Sequence, residues 1–172
     1  MGKAKLVKRS QRVAFYGVPA EGGLEPEEFQ RMEHFTSLSE GKNPKTYERQ
    51  YVDKDVSDSD VTGYGTALSY AFDHHQNDPV LKDIAAVHDD ELTGEVRTIV
   101  VVDFFDKGKA TAEDEYVARK RDFSILPDSS GDGNDALQYS GSFSAKSEPV
   151  NGYAKVPADG KTCTFLEKPT EA

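Results

Sequence analysis

The sequence predicts a mainly β protein of the α+β class, with a two-sheet, sandwich- or barrel-like fold and one flanking α-helix. Several segments alternate apolar and polar residues with the period of two that is typical of half-buried strands. One segment near the middle has the apolar spacing of an amphipathic helix. No internal repeat or linker divides the 172 residues, so a single domain covering residues 1–172 is expected.

Three strands are predicted before the helix, at residues 12–17, 46–52 and 68–73. In residues 46–52 the aromatic and basic side chains at positions 47, 49 and 51 share one face, which predicts a half-exposed strand. In residues 68–73 the apolar side chains at 68, 70 and 72 share one face and predict a half-buried strand. Between residues 29 and 39 the spacing fits a helix and a strand equally well, so both remain open.

An acidic, polar segment separates the two aromatic strands. Residues 53–62 contain four aspartates and one lysine, and few apolar residues. Such a composition predicts an extended loop that resembles the tip of a hairpin.

The helix is predicted at about residues 79–89. Asp78 is a favourable N-cap residue, and Pro79 suits the first helical position because its missing amide hydrogen is not needed there. Four apolar residues then form one stripe, while Lys82, Asp83 and His88 fall away from it. A helix this short must pack its apolar stripe against a sheet to be stable. The stripe consists of Val80, Leu81, Ile84 and Val87.

After the helix, residues 96–105 are apolar on both faces, which predicts a central strand that is covered on both sides. Residues 116–126 predict a long strand that ends at Pro127, and residues 128–135 predict a loop. Residues 137–145 alternate cleanly and predict a strand with one buried face. Residues 162–166 predict the last strand, followed by a flexible tail at about 167–172.

Composition excludes a protein that grips nucleic-acid phosphates. The hydrophobic content of 36%, the mean hydropathy of −0.67 and the formal net charge of −10 describe a small core with a large acidic surface. Binding phosphates needs clustered cations. The first dozen residues are basic and form an N-terminal arm at about residues 1–12, which is interpreted either as solvated or as docking on an acidic neighbour. The arm candidates are Lys3, Lys5, Lys8 and Arg9.

No residue pattern indicates an enzyme, a cofactor or a metal site. The single cysteine, Cys163, excludes an internal disulfide and is expected to be a small core residue. The spacing of Asp128, Ser130 and Asp132 matches the start of a calcium loop, but Tyr139 stands where a bidentate glutamate belongs, so a hairpin turn is favoured. Neither an apolar stretch long enough for a bilayer nor a secretory signal is found, which predicts a soluble, intracellular product.

Seven segments, in order, resemble the major tail protein, or tail tube protein, of long-tailed, non-contractile phages of Gram-positive bacteria. The resemblance covers about residues 35–165. The segments are NPKTYERQYVD, DVTGY, LSYAFD, PVLKDIA, DDELTGEVRTIVVVD, KRDFSILPDSSGD and LQYSGSFSAKSEPVNG.

The resemblance implies a virion protein, made in the host cytoplasm, that forms hexameric rings stacked into a tube. DNA would pass through the negatively charged bore during ejection without specific binding. Other tail proteins, namely the tape measure, tail terminator and distal tail proteins, would be its partners. The acidic segment would join one ring to the next, with Lys54, Asp55, Asp58 and Asp60 as candidate contact residues.

Two alternatives remain open on the sequence. One is a head–tail connector or tail terminator, which forms single rings. The other is a monomeric β-sandwich module that binds a carbohydrate or a protein through aromatic side chains. Its candidate platform consists of Tyr47, Tyr51, Tyr64 and Tyr70, although tryptophan is absent from the sequence.

Overall fold

The computed structural model describes residues 2–20, 26–131 and 134–171. Within these ranges the chain forms eleven strands, one α-helix and a 3-10 turn at Arg9–Gln11. The predicted class, mainly β with one flanking helix, is confirmed. In chain order the elements are β1 (Arg12–Tyr16), β2 (Phe29–Arg31), β3 (Phe35–Gly41), β4 (Pro44–Arg49), β5 (Asp58–Tyr64), β6 (Ala67–Asp73), α1 (Pro79–Asp89), β7 (Val96–Asp103), β8 (Glu115–Ser130), β9 (Gln138–Ala145), β10 (Val150–Lys155) and β11 (Thr162–Leu166).

Six strands close into a small barrel in the order β10-β11-β2-β1-β7-β8, and antiparallel pairing between β8 and β10 completes the circle. Its interior is filled by side chains, as expected for a barrel with so few strands. These buried residues are Phe15, Phe29, Val100, Val102, Ala118, Ala154, Val156 and Cys163. The predicted core position of Cys163 is therefore confirmed.

β8 is longer than predicted and leaves the barrel. Its second half, residues 123–130, pairs with β9, and β6 and β3 follow outward. We call this four-stranded extension the open sheet. The prediction that Pro127 ends the strand is wrong, and Asp128–Ser130 belong to β8 rather than to a loop. Proline is tolerated because β7 pairs with β8 only as far as Ser124 and a bulge interrupts the β9 ladder at Pro127.

The open sheet folds back over the outside of the barrel, and α1 fills the gap between them. Tyr16 of β1 and Phe143 of β9 belong to the same buried cluster, with ring centroids 6.3 Å apart. The predicted helix is confirmed from Pro79 to Asp89, and its four-residue apolar stripe is buried. Asp78 caps it, since its Oδ1 accepts hydrogen bonds from the amides of Val80 and Leu81 at 3.0 and 3.3 Å.

β7 is the central strand that the sequence predicts. It lies between β1 and β8, with Ile99 and Val101 directed to the helix-covered cluster and Val100 and Val102 to the barrel interior. Covering on both faces explains why residues 99–102 of β7 are all apolar instead of alternating with polar residues.

The sequence analysis missed β10. This strand has a small residue, Gly152, where a large apolar side chain would signal a buried face. A Cβ at Gly152 would lie 2.6 Å from the ring of Phe165, so the barrel has room only for glycine there. The undecided segment around residues 29–39 contributes β2 and β3, with no helix.

The predicted flexible tail is attached to the barrel. Glu115 is fully buried, and its carboxylate accepts hydrogen bonds from the amide of Thr170, at 2.9 Å, and from the Thr170 hydroxyl. A buried carboxylate needs such partners, and the tail supplies them. These two hydrogen bonds also lower the pKa of Glu115.

Replacing Glu115 with glutamine will remove a pH-dependent part of the stability. Because the folded pKa is lowered, the carboxylate stabilises the fold above its ordinary pKa of about 4.5, and this contribution is lost as pH falls through the folded value. We expect the melting temperature of Glu115→Gln to lie below that of the wild type at pH 7 and to approach it near pH 3. A gap that stays constant between these pH values would contradict this prediction.

Candidate assembly surfaces

The hairpin formed by β4 and β5, which pair only with each other, is almost entirely exposed. Every residue of β4 is exposed, and so are most residues of β5. The prediction of a half-exposed strand at 46–52 is therefore wrong, because both faces of β4 meet solvent. The predicted loop at 53–62 is also too long, because Asp58 and Asp60 lie in β5 opposite Arg49 and Tyr47.

The hairpin tip, residues 50–57, is an ordered turn. The amide of Lys54 donates to the Tyr51 carbonyl at 3.1 Å, and the Gln50 side chain donates to the Lys54 carbonyl at 3.3 Å. Lys54 Nζ also lies 2.9 Å from an oxygen of Asp58. Val52 is fully exposed and Val56 is 73% exposed. The tip thus presents two valines and leaves the carboxylates of Asp53 and Asp55 free of ion pairs within the described residues.

Lys54 and Asp58, two predicted contact residues, form an exposed ion pair with each other at the tip. Asp55 is exposed on the tip, and Asp60 is exposed on β5. The structure therefore brings all four residues to one protruding hairpin. Their contact with another subunit stays a prediction.

The N-terminal arm contacts the open sheet at its last strand, β3. Arg9 donates a hydrogen bond to the Leu38 carbonyl of β3 at 3.0 Å. Lys3, Lys5 and Lys8 are exposed and form no ion pair with the described residues. Arg9 is thus bound to its own chain, while the three lysines extend into solvent. Their exposure is compatible with a solvated arm and with an arm that docks on an acidic neighbour.

The open sheet has two unpaired edges among the described residues. One is the outer edge of β3, and the other is the side of β8 beyond Ile125, whose amide still donates to the Glu95 carbonyl just before β7. Unpaired backbone donors and acceptors at such edges are available for pairing with another chain.

The face of the open sheet that points away from the core is rich in serine. Register places these residues on one surface, and the hydroxyls of Ser129 and Ser140 lie 2.7 Å apart on it. Asp73 is the one charged residue among them. The surface consists of Ser37, Ser39, Gly41, Ala67, Ser69, Ala71, Asp73, Ser124, Leu126, Ser129, Gln138, Ser140, Ser142 and Ser144.

A cationic groove lies at the base of the hairpin, where the open sheet diverges from the barrel. Its volume is about 450 Å³, and a second cavity of about 650 Å³ continues it to Tyr64. Apolar residues form the floor, and four cations form the rim. The floor consists of Leu68, Ile99, Val101 and Phe123, and the rim of Arg12, Lys42, Arg119 and Arg121. We call this the basic groove.

Part of the rim charge is neutralised inside the chain. Arg12 Nε lies 2.6 Å from an oxygen of Asp103, Arg119 lies 3.7 Å from the same carboxylate, and Lys42 pairs with Glu40 at 2.5 Å. Arg121 donates to the Ser147 carbonyl at 2.6 Å and has no carboxylate within 4.0 Å among the described residues. The groove retains a positive balance, which sequence reasoning missed because its cations come from distant segments.

The tyrosine platform of the carbohydrate-binding alternative is not formed. Tyr70 is buried, with its ring 4.5 Å from that of Phe143 and its hydroxyl 2.6 Å from His88 Nε2. Burial raises the pKa of Tyr70 and lowers the pKa of His88. Tyr47, Tyr51 and Tyr64 remain exposed on the hairpin.

The described residues contain no cluster of three or more potential metal ligands, and Asp132 of the calcium-like spacing lies outside them. Burial raises the pKa of the Cys163 thiol, which keeps it protonated and unreactive. No helix in the described ranges has the length and apolar character that a membrane crossing requires.

No protein-family model matches the sequence, and no curated protein matches it. Among solved structures, the fold is similar to a chain of the anti-feeding prophage (AFP) baseplate, determined by cryo-EM with 6-fold symmetrisation. The similarity has a TM-score of 0.45 and 9% sequence identity, and it covers 89% of this chain and 97% of the other.

Proposed function

We propose that this protein is a structural subunit of a phage tail that self-assembles into stacked rings and forms the tube through which DNA is ejected. The observation that carries the proposal is the exposed hairpin of β4 and β5. The hairpin adds no side chain of these two strands to the core of its own chain, yet it has several exposed large hydrophobic residues. These residues are Tyr47, Val52, Val56, Val61 and Tyr64. Exposed apolar residues grouped on a protruding element indicate a contact with another protein.

Ring formation is supported by the two unpaired edges of the open sheet. Pairing β3 of one copy with residues 126–130 of β8 in the next would satisfy both edges and, when repeated, would close a ring. Six copies per ring follow from the resemblance to tail tube proteins. Closing the ring would also place the serine-rich faces of all subunits on the same wall of the ring.

The serine-rich face suits the wall of a channel for DNA. It offers hydroxyl groups and no cation, so it lacks the positive charge that holds phosphates strongly. The resemblance implies a negatively charged bore, but this face contributes only Asp73. In our proposal, the repulsion of DNA comes mainly from the net charge of −10 on each chain, and the lining itself has little charge.

In a tail the rings at the two ends of the tube would meet other virion proteins, and the tape measure protein would occupy the bore before ejection. These partners follow from the proposed place in the virion. The basic lysines of the arm would reach the acidic surface of a neighbouring ring.

Electron microscopy of the purified protein tests the proposal directly. We expect hollow tubes of stacked rings in negative stain, with a length that increases with protein concentration. Isolated rings would instead support the connector or terminator alternative. A monodisperse 18.9 kDa species at high concentration would refute self-assembly and leave the monomeric binding module.

A further inference from the structure

We infer that the hairpin tip of one copy docks in the basic groove of another copy. The inference rests on the proposed function in one respect, that copies of the chain stack on one another. It adds the receptor for the tip, which neither the sequence nor the resemblance supplies.

The first argument is charge. Residues 50–58 contain three aspartates and one lysine, and Lys54 pairs with Asp58, so Asp53 and Asp55 are the available anions. The groove rim has four cations against the carboxylates of Glu40 and Asp103, with Arg121 unpaired by a carboxylate among the described residues. The tip therefore carries two negative charges in excess, whereas the groove, with Glu148 of the continuing cavity counted, carries one positive charge in excess.

The second argument is apolar surface. Val52 and Val56 are the most exposed large hydrophobic residues of the hairpin, and no core position in their own chain is available to them. The floor of the groove offers the side chains of Val101 and Phe123 at the bottom of an open cavity of about 450 Å³. Seating the valines there would remove apolar area from water on both partners, and the charged rim would surround the contact.

The third argument is placement. Lys42 of the groove lies two residues before the first strand of the hairpin, whereas the tip lies at the far end of the hairpin. Six residues of β4 extend about 20 Å at 3.4 Å per residue, so the tip cannot bend back into its own groove. Each copy thus has one tip and one groove at different places, which makes a head-to-tail contact. Repetition of such a contact either closes a ring or continues as an open stack, and the proposed tube requires the open stack.

Both partners are ordered before they meet. The hydrogen bonds of Lys54 and Gln50 fix the turn, and the groove rests on β6, β7 and β8. Little conformational entropy is then lost on docking, which favours a useful affinity from a small contact area.

Charge reversal tests the contact in the full chain. One variant combines Lys42→Glu with Arg121→Glu in the groove, and a second combines Asp53→Lys with Asp55→Lys at the tip. We expect each to raise the concentration needed for assembly by about tenfold or more, and we expect the combination of all four to recover most of the loss. As a matched control, Lys82→Glu with Lys109→Glu makes the same charge change on exposed residues outside the groove and should assemble normally.

A mixing experiment separates this inference from the proposed function. A chain whose residues 50–57 are replaced by an Asn-Gly turn has a groove and no tip, and the groove variant has a tip and no working groove. When the two chains are mixed, we expect one unit of each to form a complex, where a unit is a monomer or a ring. Sedimentation velocity should show that this complex does not grow beyond two units. Mixing the tipless chain with the tip variant should give no complex.

The outcomes are distinct. Absence of tubes from the wild type refutes the tail tube, whereas the mixed complex still supports the docking. Tubes from the wild type and no mixed complex, or groove variants that assemble like the control, refute the docking and leave the tube intact.

Discussion

Replacing residues 50–57 with a two-residue Asn-Gly turn will yield a folded subunit that no longer forms tubes. Arg49 and Asp58 face each other at the end of the hairpin, so a two-residue turn can join them directly. Asn-Gly adopts the type I′ geometry that matches the twist of antiparallel strands. The change removes both exposed valines and both available aspartates, and it leaves the barrel and the helix-covered core untouched.

The expected stability change is small because the tip contributes no buried residue. Surface substitutions usually alter the free energy of unfolding by less than about 0.5 kcal/mol, so the thermal unfolding midpoint should change little. Assembly is measured by electron microscopy and by sedimentation at equal protein concentration. Tubes of normal length from this variant would show that stacking does not use the tip.

A milder variant separates the apolar contribution from hairpin length. Val52→Ser with Val56→Ser keeps the turn and its charges, and we expect it to weaken stacking without abolishing it. Leu92→Ser removes an exposed apolar side chain, 43% accessible, beyond the end of α1 and serves as the matched control. Equal assembly of the valine variant and the control would contradict the apolar role of the tip.

Elements with strong periodicity were predictable from the sequence. The α1 boundaries follow from Asp78, Pro79 and one apolar stripe, and β7 follows from its apolar residues on both faces. Burial imposes these patterns, so the patterns report burial reliably. β5 and β10 lack a clear apolar pattern for opposite reasons. β5 is exposed on both faces, and β10 needs glycine and alanine where the barrel is narrow.

The candidate site was predictable only in part. The acidic tip is one continuous segment, so its composition identifies it. The basic groove combines Arg12, Lys42, Arg119 and Arg121, which come together only because β1, β3 and β8 meet at the hairpin base. The unpaired edges of the open sheet also depend on which strand lies last in the sheet, and periodicity contains no information about strand order.

Asp83 shows the same limit inside the fold. Its position off the apolar stripe of α1 predicts a solvent-exposed residue, but it lies in a polar cluster between the helix and the sheet. Arg97 of β7 donates to both its oxygens, at 2.8 and 3.2 Å, and the hydroxyl of Tyr16 donates to Oδ2 at 2.5 Å. Helical periodicity locates the apolar stripe, whereas the partner that makes Asp83 acceptable comes from a strand fourteen residues later.

Asp83→Ala will destabilise the fold by about 3 kcal/mol or more, because it leaves a largely buried cation without its main partner. The Arg97 side chain is only 10% exposed. Burial alone would lower its pKa, but the hydrogen bonds to Asp83 and Glu95 raise it, so Arg97 stays charged. The buried Tyr16 hydroxyl also loses its acceptor, which adds a desolvation cost.

The measurement is urea unfolding at pH 7. Asp90→Ala, at the exposed end of α1, is the control and should change the free energy of unfolding by less than about 1 kcal/mol. If Asp83→Ala unfolds like this control, the ion pair does not anchor the helix to the sheet.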